Sequence, residues 1–102
     1  MPEWVRVADP DACPAGRLVC VMAGRTPVVL ANVEGRVCAL EDECSHEAYP
    51  LSDGDLEGSE IVCIYHGARF DACTGKNLGL PAVRPVRAFP VDIRDDGIYV
   101  EV

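Results

Sequence analysis

No apolar run in this 102-residue chain approaches the length of a membrane span. No segment keeps a helical hydrophobic period over three turns. The opening Met1-Pro2-Glu3-Trp4-Val5-Arg6 lacks a basic stretch followed by an apolar one, so no signal peptide is expected. A cytoplasmic location, with no membrane, is the expectation. Basic residues are few: nine Lys and Arg face seventeen Asp and Glu, a net charge of −8. Nucleic acid is therefore not expected as a partner, because binding it needs a basic footprint. An acidic surface suits a basic docking patch on another protein, or serves solubility alone. Histidine is nearly absent, with two residues in the chain.

Hydrophobic residues are plentiful, at 49% of the sequence, which excludes a disordered chain. The length suits one domain, residues 1–102. The apolar residues alternate or fall in short Val- and Ile-rich runs. "EWVRVAD", "RLVCVMA", "PVVLANV", "RVCALED", "EIVCIY", "VRAFPVDI" and "GIYVEV" read as strands. Turn signals separate them at Gly24, Gly35, Gly54, Gly75 and Gly97. Residues 9–16 have room for one short helical turn. The pattern implies an all-β domain of short antiparallel strands, without internal repeat or linker.

Both histidines sit within three residues of a cysteine. The groups are Cys44-Ser45-His46 and Cys63-Ile64-Tyr65-His66, a C-x-H and a C-x-x-H separated by 16 residues. Each falls on an expected loop, about 44–54 and about 63–76. A third, proline-containing loop is expected at about 77–85. Close spacing within each pair lets one loop present two ligands. Thiolate and imidazole suit zinc or an iron–sulfur cluster. A structural zinc finger commonly pairs Cys with Cys and His with His. Mixed pairs suit a centre in which His replaces Cys on one of two irons.

On these residues the chain resembles the Rieske family. "CSH…CIYHG" matches its C-x-H…C-x-x-H motif, and residues 44–102 resemble the cluster loops, proline loop and last hairpin of Rieske-type ferredoxins. The resemblance implies a Rieske-like antiparallel β-sandwich or barrel holding one 2Fe–2S cluster. It implies Cys44 and Cys63 on the buried iron, and His46 and His66 on the outer one. Many relatives carry Gly where this chain has Ala48. Respiratory members carry a disulfide between the cluster loops; the matching positions here are Tyr49 and Tyr65. They also place Ser and Tyr where this chain has Ala68 and Phe70, which have no side-chain donors. Fewer hydrogen bonds to sulfur disfavour the reduced cluster, so a low potential is expected.

The resemblance implies a soluble, monomeric one-electron carrier between a flavin-dependent reductase and a terminal non-haem iron oxygenase. It is not expected to be an enzyme by itself, since no further His remain for a mononuclear iron site. The alternatives are a nitrite-reductase small-subunit-like or iron–sulfur-assembly protein, and a structural zinc-binding interaction module.

Cys13, Cys20, Cys38 and Cys73 stand outside ligand spacing. Cys20 and Cys38 alternate with apolar residues and are expected in the core. A Cys20–Cys38 bridge is the alternative if their strands pair. Cys73 is expected to be structural. Trp4 and Phe89 are expected in the core. Glu41, Asp42 and Glu43 read as a solvated acidic face, or as an acidic collar meeting a basic partner.

Overall fold

A computed structural model of the chain describes residues 3–43, 49–64, 67–79 and 84–102. Among them are eleven strands, no α-helix and one 3-10 turn. The strands are β1 (Trp4–Ala8), β2 (Leu18–Ala23), β3 (Thr26–Val33), β4 (Arg36–Glu41), β5 (Asp55–Glu57) and β6 (Glu60–Val62). They continue with β7 (Arg69–Asp71), β8 (Asn77–Gly79), β9 (Ala88–Phe89), β10 (Val91–Arg94) and β11 (Gly97–Glu101). The 3-10 turn spans Leu51–Asp53.

All pairings are antiparallel and form three sheets. Their orders are β1-β11-β10, β2-β3-β4-β9 and β5-β6-β7-β8. β3 lies at the centre of the packing. Its alternate residues point to opposite faces, as strand geometry requires. Val28 and Leu30 join Ala39, Phe89, Ile98 and Val100 in one core, against the first sheet. Val29 and Ala31 join Leu40, Ile61 and Phe70 in the other, against the third sheet. A strand buried on both faces has to be apolar throughout, which explains the unbroken Val28-Val29-Leu30-Ala31 run. Each such Val or Leu contributes about 1.5–3 kcal/mol when fully buried.

The structure bears out the all-β class and seven of the strand regions, with adjustments. "EIVCIY" is a strand only over Glu60–Val62. "VRAFPVDI" divides at Pro90 into β9 and β10. Residues 69–71 and 77–79, expected as loop, are strands β7 and β8. Three-residue strands carry too little alternation to stand out in a sequence. Residues 9–16 hold turns and bends only.

Four expectations about single residues are overturned. Trp4 is 40% exposed, on the outer face of the first sheet, with the Arg94 guanidinium 5.9 Å from its ring. Phe89 is buried as expected. Cys20 is exposed, because β2 is an edge strand whose second face is only partly covered. Cys38 is buried, yet it is bonded to Cys73 rather than to Cys20. Cys38 shares a face of β4 with Leu40, the face that meets the third sheet, and Cys73 follows β7 in that sheet. The fourth is Asp42, which is buried rather than solvated. The Cys38–Cys73 bridge spans 35 residues of sequence, a closure worth about 3–4 kcal/mol in the chain-entropy account.

Candidate metal centre

One ligand group falls in the connection from the second sheet to the third, the other in a hairpin within the third sheet. The first lies between the end of β4 at Glu41 and the 3-10 turn at Leu51–Asp53. The second lies in the loop of the β6–β7 hairpin. Cys44, His46, Ala48, Tyr65 and His66 lie outside the described residues, as do residues 80–83 of the proline loop. Among the described residues no group of His, Cys, Asp or Glu forms a metal site. The fourth ligand candidate, Cys63, is described.

Cys63 is 1% exposed and belongs to the apolar cluster with Leu51, Ala68 and Phe70. Two backbone bonds close its loop. The Cys63 N–H donates to the Ala68 carbonyl at 2.8 Å, and the Gly67 N–H donates to the Cys63 carbonyl at 2.9 Å. Gly67 has φ +72°, a left-handed conformation that a glycine adopts without strain. A thiolate buried among apolar groups requires a positive partner. As a ligand Cys63 would be a thiolate and the metal centre would meet that requirement, so its place at the foot of the closed β6–β7 loop is compatible with a cluster. Ala68 and Phe70 are each 0% exposed beside it and offer no side-chain hydrogen bond.

The mouth of the first ligand connection is closed from both sides. The Asp42 carboxylate accepts from the Ser52 N–H at 2.7 Å and from the Ser52 hydroxyl at 2.6 Å. Cys20 lies nearby. Desolvation first, and then the Asp42 carboxylate, push its thiol above the ordinary range. The role of Asp42 had a sequence signal. Extending the alternation of β4 past Glu41 puts Asp42 on the inward face of Leu40. Glu43, one step further, is exposed as expected.

Residues 3–90 match the Rieske 2Fe–2S domain. This chain belongs to the Rieske family. Relatives that it matches over nearly their full length include ferredoxin components of dioxygenase systems. The Rieske chain is 40% identical over 100 residues to the ferredoxin component of the naphthalene 1,2-dioxygenase/salicylate 5-hydroxylase systems of Ralstonia sp., covering 98% of this chain and 96% of the relative. Its fold is similar to the ferredoxin of carbazole 1,9a-dioxygenase from Nocardioides aromaticivorans IC177, with TM-score 0.89 and 34% identity, over 98% of this chain and 96% of that one. It is also similar to a chain in the complex of reduced oxygenase and oxidized ferredoxin of carbazole 1,9a-dioxygenase, with TM-score 0.87 and 32% identity, over 95% and 91% of the two chains. The Rieske-like fold expected from the motif is thereby borne out, as is the 2Fe–2S cofactor that the family carries.

Proposed function

We propose that this Rieske chain is the ferredoxin component of a non-haem iron dioxygenase system. It carries single electrons to a terminal oxygenase and is not itself the catalyst. The observation that carries this reading is the near-full-length match to ferredoxin components, with both Cys-His pairs present in the chain. In the proposal Cys44 and Cys63 hold one iron, and His46 and His66 hold the other. A bound 2Fe–2S cluster supplies the one-electron step.

The chain's own residues prepare the site. Asp42 and Ser52 hold the two ends of the first ligand connection together. Gly67 and the Cys63–Ala68 backbone pair hold the second. Buried Leu51 and Phe70 keep water from the thiolate side. With Ala68 and Phe70 unable to donate to sulfur, the potential falls toward the low end of the Rieske span of about −150 to +300 mV. A low potential suits a flavin-dependent reductase as donor. We also assign one Rieske domain to residues 1–102, a monomeric state and a cytoplasmic location. The oxygenase partner is supported by the ferredoxin–oxygenase complex of the structural relative.

The test is composition first. Purified protein should be red-brown, contain two irons and two sulfides per chain, and give an EPR signal on dithionite reduction. It should then restore turnover to a dioxygenase mixed with its reductase. One zinc with no sulfide would sink the proposal, and an intact cluster that no oxygenase accepts would sink the assigned partner.

A further inference from the structure

The loop closed by the Cys38–Cys73 bridge contains Cys44, His46, Cys63 and His66, all four proposed ligands. Cys38 lies on β4 of the second sheet, and Cys73 lies in the turn between β7 and β8 of the third. The bridge is therefore a covalent tie across the apolar layer that joins the ligand-bearing sheet to its base. The turn holding Cys73 is fixed by its own hydrogen bonds. The Asp71 carboxylate accepts from the N–H groups of Cys73 at 3.0 Å and Thr74 at 2.9 Å.

The bridge is also within reach from outside. It borders an open groove of about 370 Å³, lined by Arg36, Cys38, Cys73, Phe89 and Pro90 among others. Cys73 is only partly buried, while Cys38 beneath it is 6% exposed. Arg36 places a positive charge at the groove, which attracts an approaching thiolate.

We propose that Cys38–Cys73 is a second redox site, reducible by a dithiol, whose state sets how firmly the chain holds its iron–sulfur cluster. The attacking thiolate bonds to the Cys73 sulfur and breaks the S–S bond. Cys38 leaves as a thiolate and takes up a proton. The second thiol of the reductant then displaces Cys73, which is protonated in turn. Two electrons and two protons pass to the pair, and the reductant ends as a disulfide. With the tie open, the loop bearing all four ligands is fixed only by packing and hydrogen bonds. A disulfide placed this way suits a chain exposed to thiol reductants, where persistent bridges are rare and reversible ones serve as sensors.

The inference rests on the ligand reading above, and the experiment separates the two. Iron and sulfide are assayed first, since their absence would sink the ligand reading and leave the bridge to be judged by peptide mapping. Untreated protein is denatured without reductant, alkylated and mapped. Cys38 and Cys73 should remain joined, while the other four of the six cysteines are alkylated. Native holoprotein is then treated anaerobically with dithiothreitol and alkylated, which should label Cys38 and Cys73 with the visible spectrum retained. Under chelator challenge, the reduced and alkylated protein should lose its colour about tenfold or more faster than the bridged protein. A Cys38→Ser/Cys73→Ser variant should match the faster rate; if it fails to fold, the reduced wild type carries the comparison. Alkylation of both cysteines in untreated protein would overturn the proposal. So would a bridge that resists dithiothreitol until the protein unfolds, or equal rates of colour loss.

Discussion

Asp42 and Ser52 are ten residues apart and are joined by two hydrogen bonds, both accepted by the Asp42 carboxylate. Between them runs the connection that carries Cys44 and His46. The pair fixes where that connection starts and ends, and the buried carboxylate gives it strength, since hydrogen bonds to charged groups contribute about 1.5–3 kcal/mol. Asp42→Ala removes both acceptors and leaves the Ser52 N–H without its partner. It should destabilise the protein by about 2 kcal/mol, lowering Tm by about 8–16 °C for a domain of this size. Ser52→Ala keeps the backbone bond and should cost about half as much. Cluster loss under chelator should accelerate in the same order. Thermal melts and colour-loss rates would check this, and a Ser52→Ala variant weaker than Asp42→Ala would contradict it.

The ligand assignment makes a sharper demand. His46→Ala and His66→Ala should each yield protein without the normal Rieske spectrum, because each removes one of two imidazoles from the same iron. Cys73→Ser should assemble the cluster with full iron and sulfide content. Analytical iron and acid-labile sulfide on freshly purified variants would decide it. A colourless Cys73→Ser protein beside a coloured Cys38→Ser one would mean that Cys73 is a ligand, since both variants lose the bridge.

Gly75 turns the chain between β7 and β8, with φ +77°. A Cβ there would lie 1.9 Å from the Val86 carbonyl oxygen, in backbone that cannot rotate away. The Gly75 carbonyl also accepts the Val86 N–H at 2.8 Å, tying the end of the proline loop to the third sheet. Gly75→Ala combines left-handed strain with overpacking, a loss of roughly 2–5 kcal/mol. Denaturant unfolding should show a lower midpoint with an unchanged slope. A midpoint equal to wild type would mean that the close approach to Val86 relaxes freely.

The ligand pairs were legible in the sequence because metal chemistry restricts residue type as well as spacing. The long strands were legible because β3 and the middle of β4 are buried on both faces, so they and β2 read as short apolar runs bounded by turn residues. Short strands β5, β7 and β8 were not, since their formation depends on pairing with one another more than on local pattern. The Cys38–Cys73 bridge was not legible either. Its partners meet only after β4 and the β7–β8 turn are brought to the same side of the apolar layer, which spacing does not encode. The exposure of Trp4 was not legible, because a large aromatic residue on a strand looks the same whether its face is covered or open.

The net charge of −8 and exposed Glu43, one residue before Cys44, put negative charge near the first ligand group. Electron transfer to the oxygenase should therefore slow as salt rises from about 0.02 M to about 0.5 M, as screening shortens the reach of those charges. Stopped-flow oxidation of the reduced protein would measure the rate. Glu43→Gln should flatten the dependence modestly. A wild-type rate that is constant across this range would favour apolar docking, for which exposed Ile64, next to Cys63 in the chain, is a candidate.

Restoring the missing hydroxyls should raise the potential. Ala68 and Phe70 are fully buried beside Cys63, in the same apolar cluster. Ala68→Ser and Phe70→Tyr put donors where respiratory Rieske proteins have them. Each new bond to sulfur is stronger in the reduced, more negative state, and only that difference moves the potential. If about 1 kcal/mol is differential, a one-electron couple shifts by about 40 mV per bond, since about 59 mV corresponds to a factor of ten. The double variant should therefore lie several tens of millivolts above wild type. A buried hydroxyl without a partner is destabilising by about 1–3 kcal/mol, so a stable double variant is itself a sign that the donors have found sulfur. Protein-film voltammetry, read beside iron content and Tm, gives both quantities. A stable, fully loaded double variant with unchanged or lower potential would show that solvent exposure of the centre, rather than the absent donors, sets its value.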